Sequence, residues 1–243
     1  TSDIHIDAKF GDARFGRTLR DKRETVIQMA QDAVRHARTY TDDVEFSAED
    51  AGRTDVGYLC EVLQAAAEAG ATTINIPDTT GYCIPSEYAA MFEAAMDCLQ
   101  NYDGITLSAH CHDDLGLALA NSLAAVRAGA RQVECTINGI GERAGNAALE
   151  ELVMAVAVRG GELGVHTGVA TRELAATSQM VSVAVGFPVP PNKAVVGENA
   201  FSHEAGIHQH GVLRRRDTYE IMRAEDVGQA PEQIRLGRHS GRH

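Results

Sequence analysis

Apolar positions along this chain follow two alternating rhythms. Residues 43–47 (DVEFS), 73–77 (TINIP), 105–112 (ITLSAHCH) and 132–137 (QVECTI) are β-branched or alternate apolar with polar, which predicts strands. Between them, spacings of three and four predict helices. The first carries Val26, Ile27, Ala30, Ala33 and Val34 on one face. The second carries Val56, Leu59, Val62, Leu63 and Ala66 and stops at Gly70. The third starts at Pro85 and carries Tyr88, Met91, Phe92, Ala95 and Leu99; the fourth carries Leu119, Leu123 and Val126 and stops at Gly129. The strand ends recur about every 30 residues, the size of a βα unit with its crossover. The region to residue 160 therefore reads as a run of parallel βα units, in a barrel or in an open doubly wound sheet.

After residue 160 the rhythm stops. Gly160-Gly161 and the segment 187–192 (FPVPPN) read as breaks, with a helix between them over 173–185. From Asn199 the chain is polar and rich in histidine, with a last helix-like stretch over 218–222. The expected organisation is a partial catalytic α/β domain over 1–160 and a mostly helical accessory segment over 161–243.

Composition narrows the function classes. At 44% hydrophobic and 23% charged residues, the chain is neither disordered, collagen-like nor a disulfide scaffold. Its 243 residues would fit one whole α/β barrel, which runs to roughly 250. The net charge of −12 disfavours binding to nucleic-acid phosphates. No apolar run approaches the roughly 20 residues of a membrane span, and the first residues (TSDIH) have neither the basic nor the apolar region of a signal peptide. The first residue is not Met, which points to a processed or truncated chain. Five cysteines with no CxxC pair read as reduced thiols and predict a cytoplasmic protein.

The candidate chemistry lies at the strand ends. His110 and His112 alternate onto one face of the third strand, and two neutral imidazoles side by side suit a divalent metal; the alternative is a pair of packed core histidines. Asp113 and Asp114 follow as outer partners or helix-start residues. The next loop, 138–146 (NGIGERAGN), has three glycines but not the spacing of a dinucleotide fingerprint. Its Asn146 is either the N-cap of the next helix or an oxygen ligand to the same metal. On the first strand Glu45 and Ser47 share a face, with Glu49 just beyond. Thr79 ends the second strand, where its hydroxyl can bind a substrate carboxylate or serve a turn that Asp78 starts.

Together these loops resemble the 2-isopropylmalate synthase family, within the metal-dependent barrel group of homocitrate synthase, citramalate synthase and 3-hydroxy-3-methylglutaryl-CoA lyase. The matching text is VEFSAEDAGRTD, INIPDTTGY, SAHCHDDLGLALANSLAAVRAGA, NGIGERAGNAALEELVMA and NKAVVGENAFSHEAGIHQHG, which covers most of the chain. HCHDDLG and GERAGN mark the broad group, while EFSAEDAGRTD and NAFSHEAGIHQ favour the synthase.

The resemblance implies the second half of a (β/α)8 TIM barrel followed by the accessory segment. It also implies condensation of acetyl-CoA with 3-methyl-2-oxobutanoate, then thioester hydrolysis, in leucine biosynthesis. By motif, His110, His112 and Asn146 match the family's ligands to a divalent metal (Mn²⁺, Mg²⁺ or Zn²⁺); the family's Asp ligand and preceding Arg lie in a motif absent from this sequence. Thr79 matches the position that holds the substrate carboxylate, and Ser47 lines the same pocket. Glu49 matches a member of the proton-transfer network. His208 matches the histidine implicated in catalysis on a segment that reaches over the partner subunit's barrel, which implies a homodimer of the full-length protein; His210 stands where the family usually has Asp. His203-Glu204 does not open an HExxH motif, and His5, His36, His166, His239 and His243 read as solvated surface residues.

The alternatives are citramalate or homocitrate synthase, a lyase, and a segment without catalysis of its own. The last follows from the missing ligand and the unpaired strand edges of half a barrel. On this reading the isolated chain is inactive and binds metal weakly.

Overall fold

The computed structural model describes residues 2–11 and 16–230. The chain divides into two compact units, one ending at Ala147 and the other beginning at Ala148.

The first unit opens with α1 (Asp3–Phe10), which the Ser2 side chain caps. Next comes α2 (Leu19–Arg38), closed at its start by a capping box between Thr18 and Asp21. Then follow β1 (Glu45–Ser47), α3 (Val56–Ala69), β2 (Thr73–Asp78), α4 (Pro85–Cys98), β3 (Thr106–Cys111), α5 (Ala118–Arg127) and β4 (Gln132–Glu134). The strands form one four-stranded parallel sheet in the order β1-β2-β3-β4. Sequential parallel neighbours joined by helical crossovers are the expected α/β barrel pattern.

Every residue of β2, an inner strand of the parallel sheet, is buried. Ile74, Ile76, Leu107 and Ala109 pack in one cluster with Leu59 and Leu63 of α3, Tyr88 and Phe92 of α4, and Ala118 and Ala125 of α5. The Tyr88 and Phe92 rings meet edge to face at 5.1 Å, and the Tyr88 hydroxyl donates to the Ile76 carbonyl. Thus the helices cover one face of the sheet and leave the other to polar residues.

Three helix faces differ in detail from the apolar pattern. In α5 the buried residues are Ala118, Asn121, Ser122, Ala125 and Val126, while Leu119 and Leu123 are only half-buried. Small side chains let this helix sit close to the sheet. In α2 only Val26, Ala30 and Val34 are buried, and Ala33 faces solvent. Val56 at the start of α3 is exposed.

The second unit contains α6 (Leu149–Leu163), α7 (Leu174–Val185) and α8 (Gly206–Arg214). Its core gathers Val153, Met154, Leu174, Val195 and Val227. Because α6 gives Val153 and Met154 to this core, it groups with the second unit rather than with the repeats before residue 160. Gly160-Gly161 lies inside α6, which ends instead at Gly164 in the left-handed region. The helix over 174–185 is as expected. The stretch 218–222 is not a helix: Thr218 ends a single 3-10 turn (Arg216–Thr218), 219–222 are irregular, and the α-helix of this region is α8. Lys193 pairs with the buried Glu150 at 3.3 Å and with Glu151, so the acidic start of α6 has its counter-charge in the same unit.

Candidate metal centre

The polar face of the sheet carries its side chains in rows set by register. Ser47, Asn75, Ser108 and Gln132 are partners across all four strands. Asn75 Nδ2 donates to Ser47 Oγ at 3.1 Å, and Gln132 Nε2 donates to Ser108 Oγ at 3.1 Å and to Glu45 at 3.0 Å. Two residues further along, toward the C-terminal ends, the row is Pro77, His110 and Glu134. His110 Nδ1 donates to Glu134 Oε2 at 2.9 Å, so Nε2 is left as the acceptor nitrogen of a neutral ring. Burial, then a hydrogen bond shared with Glu134, pushes the Glu45 carboxyl above its ordinary value.

His112 lies one residue past β3 and forms an isolated bridge with Asn146. The loop that delivers Asn146 is stitched back onto the strand end. Asp113 N–H donates to the Gly145 carbonyl at 2.8 Å, Ala147 N–H to Cys111 at 3.1 Å, and Asn146 N–H to Gly139 at 2.9 Å. Asn146 is therefore not the N-cap of α6, whose cap is Ala148. Two glycines are needed for this arrangement. A Cβ on Gly145 would fall 2.0 Å from the Gly139 carbonyl oxygen, and one on Gly141 would fall 2.9 Å from Asn146 Oδ1.

The rings of His110 and His112 stand edge to face with centroids 5.0 Å apart. Burial lowers the pKa of His110. For His112 burial and then the neighbouring His110 do the same. Both rings are accordingly neutral near pH 7 and keep a lone pair. His112 Nδ1 and Asn146 Oδ1 are both buried and without a hydrogen-bond partner. A buried acceptor left unpaired is costly, and two of them at one strand end fit a cation that both would ligate. Two imidazoles and an amide oxygen suit Mn²⁺, Mg²⁺ or Zn²⁺ alike. Among the described residues no three His, Cys, Asp or Glu side chains form a metal-holding group of their own.

Thr79 follows β2, and its Oγ1 accepts from the Asp50 N–H at 2.8 Å. With that lone pair engaged, the hydroxyl hydrogen is free to donate. Arg143, in the same loop as Asn146, donates to Asp114 at 2.8 and 2.9 Å and to the Thr79 carbonyl at 2.8 Å, joining the loops after β2, β3 and β4. Glu49 sits beyond β1, salt-bridged to Lys9 of α1. His208 belongs to the second unit, on α8, with the Tyr219 ring 4.3 Å from its own.

His110, His112 and Asn146 thus converge, while Thr79 is tied to them through Arg143 and Ser47 lies one row below. Sequence reasoning missed Glu134, Asn75, Asp50, Arg143 and Tyr219. Glu134 had a signal, since it alternates with Gln132 on β4. Asp50 had none, because its partners Ser2 and His5 lie 48 and 45 positions away. His5 was read as a solvated surface residue, yet its Nδ1 donates to Asp50 Oδ2 at 2.9 Å and only 20% of its side chain is exposed. His36 and His166 are exposed as expected, while His239 and His243 lie outside the described residues.

Residues 1–181 match the family model described as HMGL-like. The chain belongs to the HMGL-like family. Residues 195–243 of this HMGL-like chain also match a model described as homocitrate synthase post-HMGL domain-like. Over all 243 residues it is 70% identical to the 2-isopropylmalate synthase of Salinibacter ruber (strain M8), covering 44% of that protein. It is 55% identical to that of Dechloromonas aromatica (strain RCB), covering 46%. The synthase resemblance of the motifs is therefore borne out, and the chain spans less than half the length of these relatives. Among solved structures, the HMG-CoA lyase of Bacillus subtilis aligns with a TM-score of 0.56 at 21% identity, over 78% of this chain and 62% of that one. Hydroxymethylglutaryl-CoA lyase from Pseudomonas aeruginosa gives 0.55 at 20%, over 76% and 62%. At such identities the likeness is one of fold, in agreement with the expected α/β barrel architecture.

Proposed function

We propose that this chain is the metal-binding half-barrel and following accessory segment of a 2-isopropylmalate synthase, which condenses acetyl-CoA with 3-methyl-2-oxobutanoate to give 2-isopropylmalate and CoA. The observation that carries the reading is the pair of buried, unpartnered acceptors on His112 and Asn146, in a chain 54–70% identical to proteins of that name.

His110, His112 and Asn146 would hold a divalent cation, which when bound supplies Lewis-acid polarisation of a keto-acid carbonyl. Glu134 fixes the ring of His110 by accepting its Nδ1–H. Thr79 donates its hydroxyl hydrogen to the carboxylate of the keto acid, and Arg143 keeps the Thr79 backbone in place. Ser47 lines the pocket below. Glu49, in reach of solvent, moves the proton that leaves the acetyl methyl group. His208 acts from the accessory segment, across a homodimer. On this reading residues 1–160 are the partial catalytic domain and residues 161–243 the accessory part. The protein works in the cytoplasm; no helix of the described residues is long and apolar enough to cross a membrane.

CoA release by the full-length protein, assayed with 3-methyl-2-oxobutanoate, pyruvate and 2-oxoglutarate, tests this. Selective turnover of the first is expected. Preference for pyruvate or 2-oxoglutarate would make it a citramalate or homocitrate synthase instead. Cleavage of a 3-hydroxyacyl-CoA without condensation would make it a lyase.

A further inference from the structure

We propose that His5, oriented by the buried carboxylate of Asp50, is the residue that exchanges a proton with Glu49. The assignment rests on the reading of Glu49 as a proton-transfer group.

Asp50 is wholly buried and sits at φ 60°, ψ 36°, in the left-handed region that a side-chain-bearing residue rarely adopts. Its carboxylate accepts from the Ser2 hydroxyl, from His5 Nδ1 at 2.9 Å, and from Arg53 Nε and Nη2 at 2.9 and 3.0 Å. Burial pushes this carboxyl up, but Arg53 and Ser2 outweigh it and hold Asp50 below its ordinary value. An ionised Asp50 can only accept, so the hydrogen on His5 lies on Nδ1. The other nitrogen, Nε2, is then the acceptor, and it faces Glu49 Oε1 at 3.9 Å. Two acceptors directed at each other repel unless a proton sits between them. A small rotation of the half-exposed Glu49, or one bridging water, closes the gap.

The surroundings keep this geometry in place. Ile6, next to His5, is fully buried against Val26, Tyr58 and Val62, which anchors α1. Lys9, one turn after His5, takes the second oxygen of Glu49. The remaining charges of α1 are spent elsewhere: Asp3 pairs with Arg23 and Asp7 with Lys22, both of α2. Among the described residues, Glu49 and Asp50 are therefore the acidic groups that face His5. The Asp50 backbone N–H also reaches Thr79 Oγ1, so the same residue orients His5 and the hydroxyl beside the metal centre.

In the step itself, the proton that Glu49 has taken from the carbon acid leaves its carboxyl oxygen and bonds to the His5 Nε2 lone pair. Glu49 returns to the carboxylate. His5 becomes an imidazolium between Asp50 and Glu49, and then releases the Nε2 proton to water. Asp50 stays ionised throughout and is a positioning residue.

The test uses the full-length protein. In His5→Gln, kcat is expected to fall at least about ten-fold while KM for both substrates stays within about two-fold, the signature of lost proton transfer rather than lost binding. In His5→Ala, added imidazoles should restore turnover with rates that rise with their basicity. A His5→Gln enzyme with unchanged kcat, or rescue independent of basicity, would overturn the proposal. A second measurement does not depend on activity. Ring ¹⁵N shifts of His5 should show the Nδ1–H tautomer, and the Nε2 resonance should shift in Glu49→Gln. An Nε2 resonance unchanged in Glu49→Gln refutes the proton link, whatever the enzyme turns over. Failure of the wild-type protein to condense acetyl-CoA with any of the three keto acids refutes the proposed function, and the ¹⁵N result then decides this inference by itself.

Discussion

Gly141→Ala adds one methyl group beside the metal centre and nothing else. Gly141 does not occupy the left-handed region, so alanine meets no backbone penalty there. Its Cβ would lie 2.8 Å from Asn146 Nδ2 and 2.9 Å from both Cγ and Oδ1. Ordinary contact begins at 3.4 Å, so the amide has to retreat by roughly half an ångström. What opposes the retreat is weak: the Asn146 side chain makes a single long hydrogen bond, Nδ2 to the Ile140 carbonyl at 3.5 Å. Overpacking of a rigid core costs about 1–3 kcal/mol, and a side chain this free to swing should keep the cost near or below ~1 kcal/mol. That corresponds to a Tm lowered by no more than about 4 °C. The metal, by contrast, loses a ligand oxygen from its position. A ten- to hundred-fold weaker affinity is expected, about 1.4–2.7 kcal/mol. Isothermal titration of the metal-free full-length protein with Mn²⁺ or Zn²⁺, alongside thermal melts with and without metal, separates the two effects. If Gly141→Ala binds metal within two-fold of wild type while its Tm falls, Asn146 is not a ligand and its unpaired oxygen has another cause.

Two further outcomes follow from the charge states. Burial lowers the pKa of both His110 and His112, so the folded state favours their neutral forms. The stability this contributes is complete above the ordinary value of 6.5 and is lost as pH falls from there toward the lowered folded values, where the unfolded chain binds more protons. Metal-free melts should fall across that window, and less steeply in His112→Asn; equal slopes would refute the assignment. For the thiols, burial pushes Cys83 far up and Cys111 up to about 12. Native protein at pH 8 should leave these two unmodified by a disulfide reagent, while guanidinium exposes all five cysteines. Rapid labelling of Cys111 in the native state would mean that the sheet core opens.

Much of the first unit was legible because its signals are local. A period of two in residues 105–112 is a strand wherever it occurs, and alternation alone set His110 and His112 on one face. Errors came where packing overrode local preference. Leu119 and Leu123 look like the core face of α5, but close approach to the sheet selected Ala118, Ser122 and Ala125 instead. Gly160-Gly161 looks like a break, yet Val153 and Met154 bury α6 in its unit firmly enough to carry the helix through both glycines. His5 looks like a surface residue because nothing near it in sequence shows Asp50, 45 positions away.

By itself, then, the sequence determined the order of strands and helices, the family, and the histidine pair, all of which follow from periodicity and contiguous motifs. Only the tertiary structure decided which partners those residues meet. It paired His110 with Glu134, left His112 and Asn146 with buried acceptors facing no donor, and placed His5 between Asp50 and Glu49. The reason is physical: a hydrogen bond depends on separation in space, and parallel strands pair residues that lie 24 to 33 positions apart in the chain.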